Sequence, residues 1–367
     1  MTTKVDGDGR LFLTEQTVAG TDIPGNGQLW VKDDVPNRPM FTDDGGTDLE
    51  LAGQIGKNYI INGTFDIWQR ATSQTSSGYG SDDRWGNLIT GTTQVASQQT
   101  FTLGQTDVPN NPTYHARTVV TSVAGAGNFA LKYQPIEGVE TLSGKTAVVD
   151  FYAKADASKN IALEFIQSFG TGGSPSAQVT GIGSQLVALT SAWQHFQIEV
   201  AVPSITGKTL GSNGDDYLGL IFWLDAGSDW NARASSLGQQ SGTFDFSEIK
   251  VYEKGKQCEP RRSEGQELEL CRRYYIDTRY GAVGTAWAFQ ISTTYVAAGN
   301  NYHTCETLMT TMRATPTMTY VNGTNFLFGT TGAFQGVSRN GFNFYSTASG
   351  TGNGGYLIGN YTASAEL

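Results

Sequence analysis

The chain has 367 residues, of which 16% are charged and 46 are glycine, whereas ordinary globular chains are about 25% charged and roughly 7% glycine. Because glycine is unfavourable inside helices, this composition disfavours a helix-rich enzyme and predicts strands and turns. The 24 Lys and Arg against 34 Asp and Glu give a net charge of −10, which disfavours binding to the phosphate backbone of nucleic acids.

Several classes of protein lack their signatures in this sequence. The longest apolar run is residues 218–224, much shorter than the roughly 20 residues of a membrane span. The first residues show no apolar region of an export signal, so we expect synthesis in a cytoplasm. Cys258, Cys271 and Cys305 lack metal-ligand spacing, which predicts reduced thiols. The motif HExxH is absent and no GxGxxG stands between a strand and a helix, so metalloprotease and dinucleotide-binding functions have no support.

Residues 1–57 predict a short β-rich segment in which glycine turns separate brief strands. Its few large apolar side chains include Leu29, Trp30, Val31 and Phe41. So small a set buries too little surface to offset the entropy of ordering the segment. We therefore expect it to need a partner surface, either copies of itself or another protein. The alternative is a flexible tail.

Residues 58–254 carry long strand patterns without intervening helices, which predicts a β-sandwich of the jelly-roll type. Residues 193–200 alternate between apolar and polar side chains, as in a strand with one buried face. Residues 217–224 are almost continuously apolar and predict a strand that is buried on both faces. We expect the tryptophans in strand-like stretches to lie in the core: Trp68, Trp85, Trp193 and Trp223.

Residues 255–275 predict a linker followed by one helix. Ser263 and Gln266 have the spacing of a capping box. The apolar positions that follow at helical spacing are Leu268, Cys271 and Tyr275. Residues 276–367 return to strands and glycine turns, so the sequence predicts a small C-terminal β-domain. The whole chain is therefore predicted to be all-β, with a single short helix between two β regions.

Four stretches of the chain form an ordered pattern. They are GNGQLWVKD (25–33) with FTDDG (41–45), NYIINGTFDIWQR (58–70) with DRW (83–85), ELELCRRYY (267–275), and MRATPT (312–317) with YTASAEL (361–367). Together they resemble the tail-fibre and receptor-binding proteins of tailed bacteriophages over nearly the whole chain. Residues 58–254 also resemble the galactose-binding-type jelly roll of carbohydrate-binding modules.

The resemblance implies a non-enzymatic, homotrimeric fibre or spike subunit in the virion tail. Residues 1–57 would anchor it to other tail proteins, through Leu29, Trp30, Val31 and Phe41. The jelly roll and the outward-facing C-terminal domain would attach to a polysaccharide or protein of the host surface. Low charge and many strands agree with symmetric assembly, in which copies bury one another's sheet edges. The resulting hypothesis is that Leu268, Cys271 and Tyr275 line a threefold axis.

The resemblance to carbohydrate-binding modules also raises the question of a structural calcium ion. In those modules calcium can tie the first strand to the last, and Asp66 and Asp245 fall on roughly matching positions. Calcium binds six to eight oxygens, whereas only these two side chains can be named. An Asx turn and a surface carboxylate are therefore the favoured alternative, and we expect no other cofactor.

Aromatic side chains in polar loops are typical of sugar recognition, because pyranose rings present apolar faces ringed by hydroxyls. The best local group follows the strand at residues 217–224 and consists of Asp225, Asp229, Trp230, Asn231 and Arg233. A second group lies in loops of the C-terminal domain and consists of Tyr345, Asn353 and Tyr356. For both groups the alternative is an ordinary packing role.

Two further functions remain as alternatives to host attachment. The first is a structural virion adaptor that binds only neighbouring proteins. The second is a carbohydrate-active enzyme, in which the pairs Asp82-Asp83 and Asp215-Asp216 would be the candidate carboxylates. Adjacent residues of a strand point to opposite faces, and both pairs stand near glycine, so we expect solvated turns.

Overall fold

The computed structural model describes residues 4–5, 11–13, 15–21, 26–33, 38–43, 45–46, 48–50, 55–281, 287–328 and 332–367. Residues 25 and 44, which belong to the first of the four sequence stretches, lie outside the described residues. The chain divides into two units, Met1–Lys57 with Tyr252–Glu259 and Asn58–Val251 with Pro260–Leu367. None of the described helices is long and apolar enough to cross a bilayer.

Strands dominate the described residues. The first strands are β1 (Lys4–Val5), β2 (Leu11–Phe12), β3 (Glu15–Gln16), β4 (Gln28–Lys32), β5 (Arg38–Thr42), β6 (Asp48–Glu50) and β7 (Ile55–Gly56). The next are β8 (Ser73–Gln74), β9 (Gly86–Thr90), β10 (Thr93–Thr100), β11 (Tyr114–Thr121), β12 (Phe129–Glu137), β13 (Thr146–Ala155), β14 (Lys159–Ser168), β15 (Val179–Leu189), β16 (Gln194–Ala201), β17 (Tyr217–Ala226) and β18 (Gly242–Glu253).

The helical elements and the remaining strands complete the chain. A 3-10 turn (Ser228–Trp230) follows β17, and β19 (Gln257–Cys258) precedes the helix α1 (Glu264–Arg272). The last strands are β20 (Tyr275–Asp277), β21 (Phe289–Ser292), β22 (Tyr295–Val296), β23 (Asn301–Thr307), β24 (Thr317–Phe326), β25 (Ala333–Gln335), β26 (Gly341–Thr347), β27 (Gly352–Asn353) and β28 (Tyr356–Ser364). The predicted all-β class is confirmed.

The first unit contains a four-stranded sheet in the order β3-β4-β5-β6. Trp30 is buried in it, and its indole Nε1 donates to Thr42 Oγ1 at 2.8 Å. Leu29 pairs with Phe41 across β4 and β5, and Leu29 is exposed whereas Phe41 and Val31 are half-buried. Of the four residues expected to anchor this segment, Trp30 therefore serves its core, while the other three keep accessible surface.

Residues 58–251 form a sandwich of two sheets, as predicted. One sheet has the order β16-β13-β18-β11-β10-β8 and the other the order β15-β14-β17-β12-β9. Their facing sides enclose one large hydrophobic cluster, in which Phe151, Phe222 and Phe246 are fully buried. The outer side of the second sheet is also apolar in its centre, and this side carries the candidate site.

Strand β17 shows how the sequence builds both faces of that sheet. Leu220 and Phe222 belong to the cluster between the sheets, whereas Ile221 and Trp223 belong to a second cluster on the outer face. The strand is thus buried on both faces, as its continuous apolar run predicts. Trp223 is buried in the outer-face cluster, and Trp68 and Trp85 are also buried as predicted, whereas the core position predicted for Trp193 is wrong because that residue is half-buried.

Helix α1 begins as predicted and ends earlier than expected. Gln266 N donates to Ser263 Oγ at 3.4 Å, and Ser263 N donates to Gln266 Oε1 at 2.9 Å, which completes the capping box. The helix ends at Arg272, because Tyr275 already pairs with Ser364 in a β-ladder between β20 and β28. Tyr275 is therefore a strand residue.

The three residues of the predicted threefold-axis stripe differ in their burial within their own chain. Cys271 is 1% exposed inside its own chain, and the Arg70 guanidinium lies 3.6 Å above the ring of Tyr275. Leu268 keeps partial exposure. The hypothesis is therefore wrong for Cys271, which is buried inside its own chain, and it stays a prediction for the half-buried Leu268 and Tyr275. All three cysteines are free thiols.

Residues 276–367 build three small sheets with their own core. Strand β28 is flanked by β20 and β21 and also pairs with β24, while β23-β26-β25 and β22-β27 form the other two sheets. The rings of Phe289 and Phe344 lie 4.5 Å apart in this core, beside Tyr361. These sheets belong to the same unit as the sandwich.

Candidate functional site

A cleft of about 300 Å³ lies on the outer face of the sheet β15-β14-β17-β12-β9. Successive side chains of a strand point to opposite faces, so the alternate residues of β12, β14 and β17 supply its floor. The floor side chains are Leu131, Tyr133, Ile166, Tyr217, Ile221 and Trp223. The lining also includes Trp230, Arg233 and Leu367. The cleft is therefore a shallow aromatic site with polar groups at its margins.

Trp230 forms the wall of the cleft at the end where β17 finishes. It is half-buried, with its ring edge-on to Phe129 at 4.9 Å and tilted against Trp223 at 5.4 Å. Its indole Nε1 donates to the Gly127 carbonyl oxygen at 3.0 Å, which satisfies the one polar atom of the ring. Trp230 is thus held rigidly while part of its surface faces the cleft.

Arg233 lies over this aromatic wall and is neutralised from below. Its Nη2 donates to Glu164 Oε1 at 2.6 Å, and the Glu164 side chain is fully buried. Trp223 Nε1 donates to the same Oε1 at 3.0 Å. The guanidinium lies 5.1 Å from the Trp223 ring centroid and 5.6 Å from that of Trp230. The planar guanidinium of Arg233 is therefore fixed in position, and its ion pair with Glu164 carries no net charge.

The other members of the first predicted group divide into two roles. Asp225 is fully buried, and its carboxylate accepts from Thr92 Oγ1 at 2.8 Å, Ser122 Oγ at 2.9 Å and Gln240 N at 2.7 Å. These hydrogen bonds hold loops together, and because Asp225 is 0% exposed the prediction that it contacts a glycan is wrong. Asp229 and Asn231, which flank Trp230 in the chain, are exposed but are not among the residues that line the cleft.

The opposite end of the cleft is closed by Leu367. The hydroxyl of Tyr79 donates to the main-chain oxygen of Leu367 at 3.1 Å, and the rings of Tyr79 and Tyr133 lie 5.8 Å apart. Burial raises the pKa of Tyr79 well above its usual value, so this hydroxyl stays protonated and donates. Leu367 therefore lies at this end of the cleft with its main-chain oxygen held by Tyr79.

The second predicted group does not converge on one site. Tyr345 is half-buried on β26, with the exposed His303 ring at 5.5 Å on the neighbouring strand. Tyr356 is 37% exposed on β28 and lies 6.3 Å from the Phe326 ring. Asn353 is exposed and pairs with Tyr295. Tyr345 and Tyr356 thus belong to different sheets, and no common pocket follows from their placement.

The two carboxylates proposed for calcium have arginine partners instead. Asp245 accepts from Arg117 Nε and Nη2, both at 2.8 Å. Burial alone would raise the pKa of Asp245, but the hydrogen bonds from Arg117 hold it below its usual range. Arg261 Nη2 lies 2.8 Å from Asp66, and its Nη1 lies 3.3 Å from Glu248. Asp66 and Asp245 therefore do not fit a calcium site, and the described residues contain no cluster of metal ligands.

The pair Asp82-Asp83 was expected in a solvated turn, and this is wrong because both residues are completely buried. Asp82 lies 2.5 Å from the ammonium group of Lys132, which is itself 0% exposed. Asp83 accepts from Gln69 N at 3.0 Å and also from Gln69 Nε2. Burial raises the pKa of Asp83 to about 7, although the nearby Arg70 charge opposes the shift. Both carboxylates are internal structural groups.

Asp83 makes the fold pH-dependent near neutrality. Because its pKa is raised in the folded chain, the folded state holds the proton more tightly than the unfolded state. This contribution is fully present at about pH 4 and is lost as pH rises through about 7, with a limiting slope of about 1.4 kcal/mol per pH unit. Asp83→Asn removes the titration, so its unfolding free energy is expected to fall less between pH 5 and 8.

Urea denaturation at several pH values checks this expectation. Asp107→Asn, at an exposed loop position, is the control and should keep the wild-type pH dependence. An Asp83→Asn variant whose curve parallels that of the wild type from pH 5 to 8 would contradict the raised pKa.

The floor of the cleft could not be found by looking for polar loops. Tyr133, Tyr217 and Trp223 lie on strands, and only their alternation with inward residues such as Phe222 distinguishes an outer-face position from a core position. That signal is present in the sequence, but it becomes meaningful only once the outer face of this sheet is known to be apolar.

Comparisons with known proteins give limited similarities. No family model matches the chain, and no curated protein matches it. Among solved structures, the enzymatically active domain of tailspike protein 4 of bacteriophage CBA120 aligns with a TM-score of 0.30 and 12% identity, over 53% of this chain and 21% of that chain. This chain therefore spans about a fifth of the tailspike chain.

Two sugar-binding domains show similar values. A family 11 carbohydrate-binding module from Clostridium thermocellum, solved with a β-1,3-1,4-mixed-linked tetrasaccharide, has a TM-score of 0.29 and 12% identity over 51% of this chain and 98% of that chain. The N-terminal cellulose-binding domain of Cellulomonas fimi β-1,4-glucanase C has a TM-score of 0.28 and 14% identity over 53% and 100%. Such low TM-scores give no basis for carrying a ligand or an activity over to this chain.

Proposed function

We propose that this chain binds an uncharged glycan in the cleft on the outer face of the sandwich. The observation that carries the proposal is the aromatic wall formed by Trp230, with Trp223 and Tyr217 in the floor. Sugar rings pack their apolar faces on aromatic side chains, while a few polar groups fix their orientation. The polar side chains of Gln178 and Arg233 lie in the lining and supply groups for those hydrogen bonds.

The electrostatics of the cleft favour an uncharged sugar over an acidic one. Arg233 is the only charged side chain in the lining, and Glu164 neutralises it at 2.6 Å. An acidic polysaccharide would have to compete with Glu164 for the guanidinium, and the chain as a whole carries a net charge of −10, which repels anions. A neutral ring can lie on the Arg233–Trp230 surface without breaking the ion pair.

We further propose that the chain binds without cleaving its ligand. Glycoside hydrolysis needs two carboxyl groups on either side of the scissile bond, and the cleft lining contains no Asp or Glu. Asp82 and Asp83 are buried, while Asp215 and Asp216 accept hydrogen bonds from neighbouring turns. Incubation with a bound glycan is therefore expected to release no new reducing ends.

Trp230→Ala is the direct test of the glycan proposal. Removing an aromatic wall of a binding site typically costs about 2 kcal/mol or more, which is roughly a thirtyfold weaker Kd. A glycan array of capsule and lipopolysaccharide sugars identifies a bound sugar, and isothermal titration then compares the variant with the wild type. Circular dichroism establishes that the variant is folded.

Trp193→Ala is the matched control. Trp193 is also half-buried but lies beside Phe101 and His115, outside the cleft lining. It should bind the glycan as the wild type does. Equal loss of binding in both variants, or an array without any signal, would refute the proposed function and favour the structural adaptor.

The biological role that we propose is host attachment by a homotrimeric virion tail fibre. The ordered sequence stretches support it, and a trimer would combine weak sites into strong attachment through avidity. Light scattering at low micromolar concentration is expected to give three times the chain mass. A monomeric mass would refute the trimer without affecting the glycan site of a single chain.

A further inference from the structure

The two ends of the cleft are built by different parts of the chain. At one end, Trp230 follows β17 and packs on Phe129, the first residue of β12. At the other end, near the last residue of β12 and the first of β17, residues 365–367 cross from the C-terminal sheets onto the sandwich. The second end is therefore closed by a segment that is distant in sequence.

Main-chain hydrogen bonds fix the path of this segment. Ala365 N donates to the Tyr274 carbonyl at 2.7 Å, and the Tyr274 hydroxyl donates to Glu137, the last residue of β12, at 2.9 Å. Arg313 donates to the carbonyl of Ala365 at 3.0 Å and to that of Gly214, just before β17, at 3.0 Å. The segment is thus tied to both strands that form the floor.

The side chain of Glu366 supplies the strongest attachment. It pairs with Arg70 Nη2 at 2.9 Å and with Arg84 Nη1. Arg84 is 1% exposed, lies 3.5 Å above the Tyr274 ring and donates to the Pro135 carbonyl at 2.7 Å. Because a buried guanidinium needs its counter-charge, Glu366 holds residue 367 in place.

These contacts place Leu367 at the end of the cleft. Its side chain lines the cleft with Tyr133, and the Tyr79 hydroxyl holds its main-chain oxygen. Phe129 and Tyr133 are four positions apart on β12, which corresponds to about 13 Å at 3.3 Å per residue. The cleft of about 300 Å³ lies at the lower limit of usual ligand sites, which span about 300–1,000 Å³. This volume accommodates a short saccharide, and Leu367 lies at the end of the cleft opposite Trp230.

We propose that the cleft binds the end of a glycan chain, and that Leu367 is the specificity-determining residue that excludes internal segments. This inference rests on the proposed function, since it concerns the same cleft. If the site recognises a glycan end, one protein molecule binds per glycan end, whatever the length of the glycan. A groove open at both ends loads more protein as the glycan becomes longer.

Titration calorimetry distinguishes the two cases. The probes are size-fractionated, unbranched fragments of the uncharged polysaccharide that gives the strongest array signal. The wild type is expected to saturate at one protein per fragment at every length. Leu367→Gly removes the side chain at the end of the cleft. The number of variant molecules bound per fragment is therefore expected to increase with fragment length. Leu103→Gly, at a fully exposed position, is the control and should behave as the wild type.

Each outcome decides between the proposals. Wild-type loading that increases with length would overturn end recognition while leaving glycan binding intact. Length-independent loading by a folded Leu367→Gly variant would overturn the role of Leu367, and Leu367→Ala repeats this test should the glycine variant melt early. An array without any signal would overturn both the proposed function and this inference.

Discussion

Asp82→Asn and Lys132→Met are each expected to lower the free energy of unfolding by about 3–5 kcal/mol, because each leaves a buried charge without its partner. Lys132 occupies an inward position of β12, and its ammonium lies 5.7 Å from the Phe65 ring and 5.8 Å from that of Trp85. Both members of the pair are 0% exposed. Solvent therefore cannot replace the missing partner. Urea denaturation followed by far-UV circular dichroism measures the loss.

The double variant tests whether charge or packing causes this loss. Replacing a whole buried ion pair by neutral groups is often close to neutral in stability, so Asp82→Asn with Lys132→Met should lose much less than the sum of the single variants. Arg272→Met breaks an exposed pair with Glu269 and should cost at most about 1 kcal/mol. Strictly additive losses in the double variant would contradict the buried pair.

Glu366→Gln is the second substitution with a large expected effect, a loss of about 3 kcal/mol in unfolding free energy. The neutral amide keeps the size of the side chain but removes the charge that faces Arg84 and Arg70. The Arg84 guanidinium would then be buried without compensation. The same variant should weaken glycan binding or change its length dependence, because Leu367 loses its anchor. Denaturation and the fragment titration measure the two effects.

Glu140→Gln is the control for this substitution, since Glu140 is exposed. Its stability and binding should match those of the wild type. A Glu366→Gln variant as stable as the wild type would show that residues 365–367 are not held by the two arginines.

The fold could be predicted from the sequence because the residue patterns that indicate strands and helices are local. Alternation along strands predicted the sandwich, the continuous apolar run predicted the doubly buried β17, and Ser263 with Gln266 predicted the start of the helix. The end of the helix was wrong because pairing of Tyr275 with Ser364 competes with helical spacing. No local pattern contains a partner that is almost ninety positions away.

The functional residues were predicted only in part for the same reason. Trp230 and Arg233, two of the residues predicted to contact a glycan, line the cleft, but Asp225 accepts hydrogen bonds from loops at distant positions. Asp66 and Asp245 were matched by position along the chain, whereas Arg261 and Arg117 approach them from other elements. Side-chain partners depend on tertiary packing, so composition and spacing could not assign these carboxylates.

The sandwich and the C-terminal sheets belong to one unit, and both contribute residues to the lining of the cleft. The floor belongs to the sandwich, while Leu367 is held from β28 and α1 through Ala365 and Tyr274. The C-terminal sheets therefore complete the site that the sandwich begins. A site of this kind depends on correct packing between the two regions as well as on its own aromatic side chains.

Indole N–H signals in a ¹⁵N-resolved NMR titration test the central claim most directly. On addition of the array-selected uncharged glycan, we expect saturable shifts of the Trp230 and Trp223 signals, with the Trp193 signal unchanged. Shifts confined to Trp193, or no shift of Trp230 at a saturating concentration of the sugar, would contradict binding in the cleft.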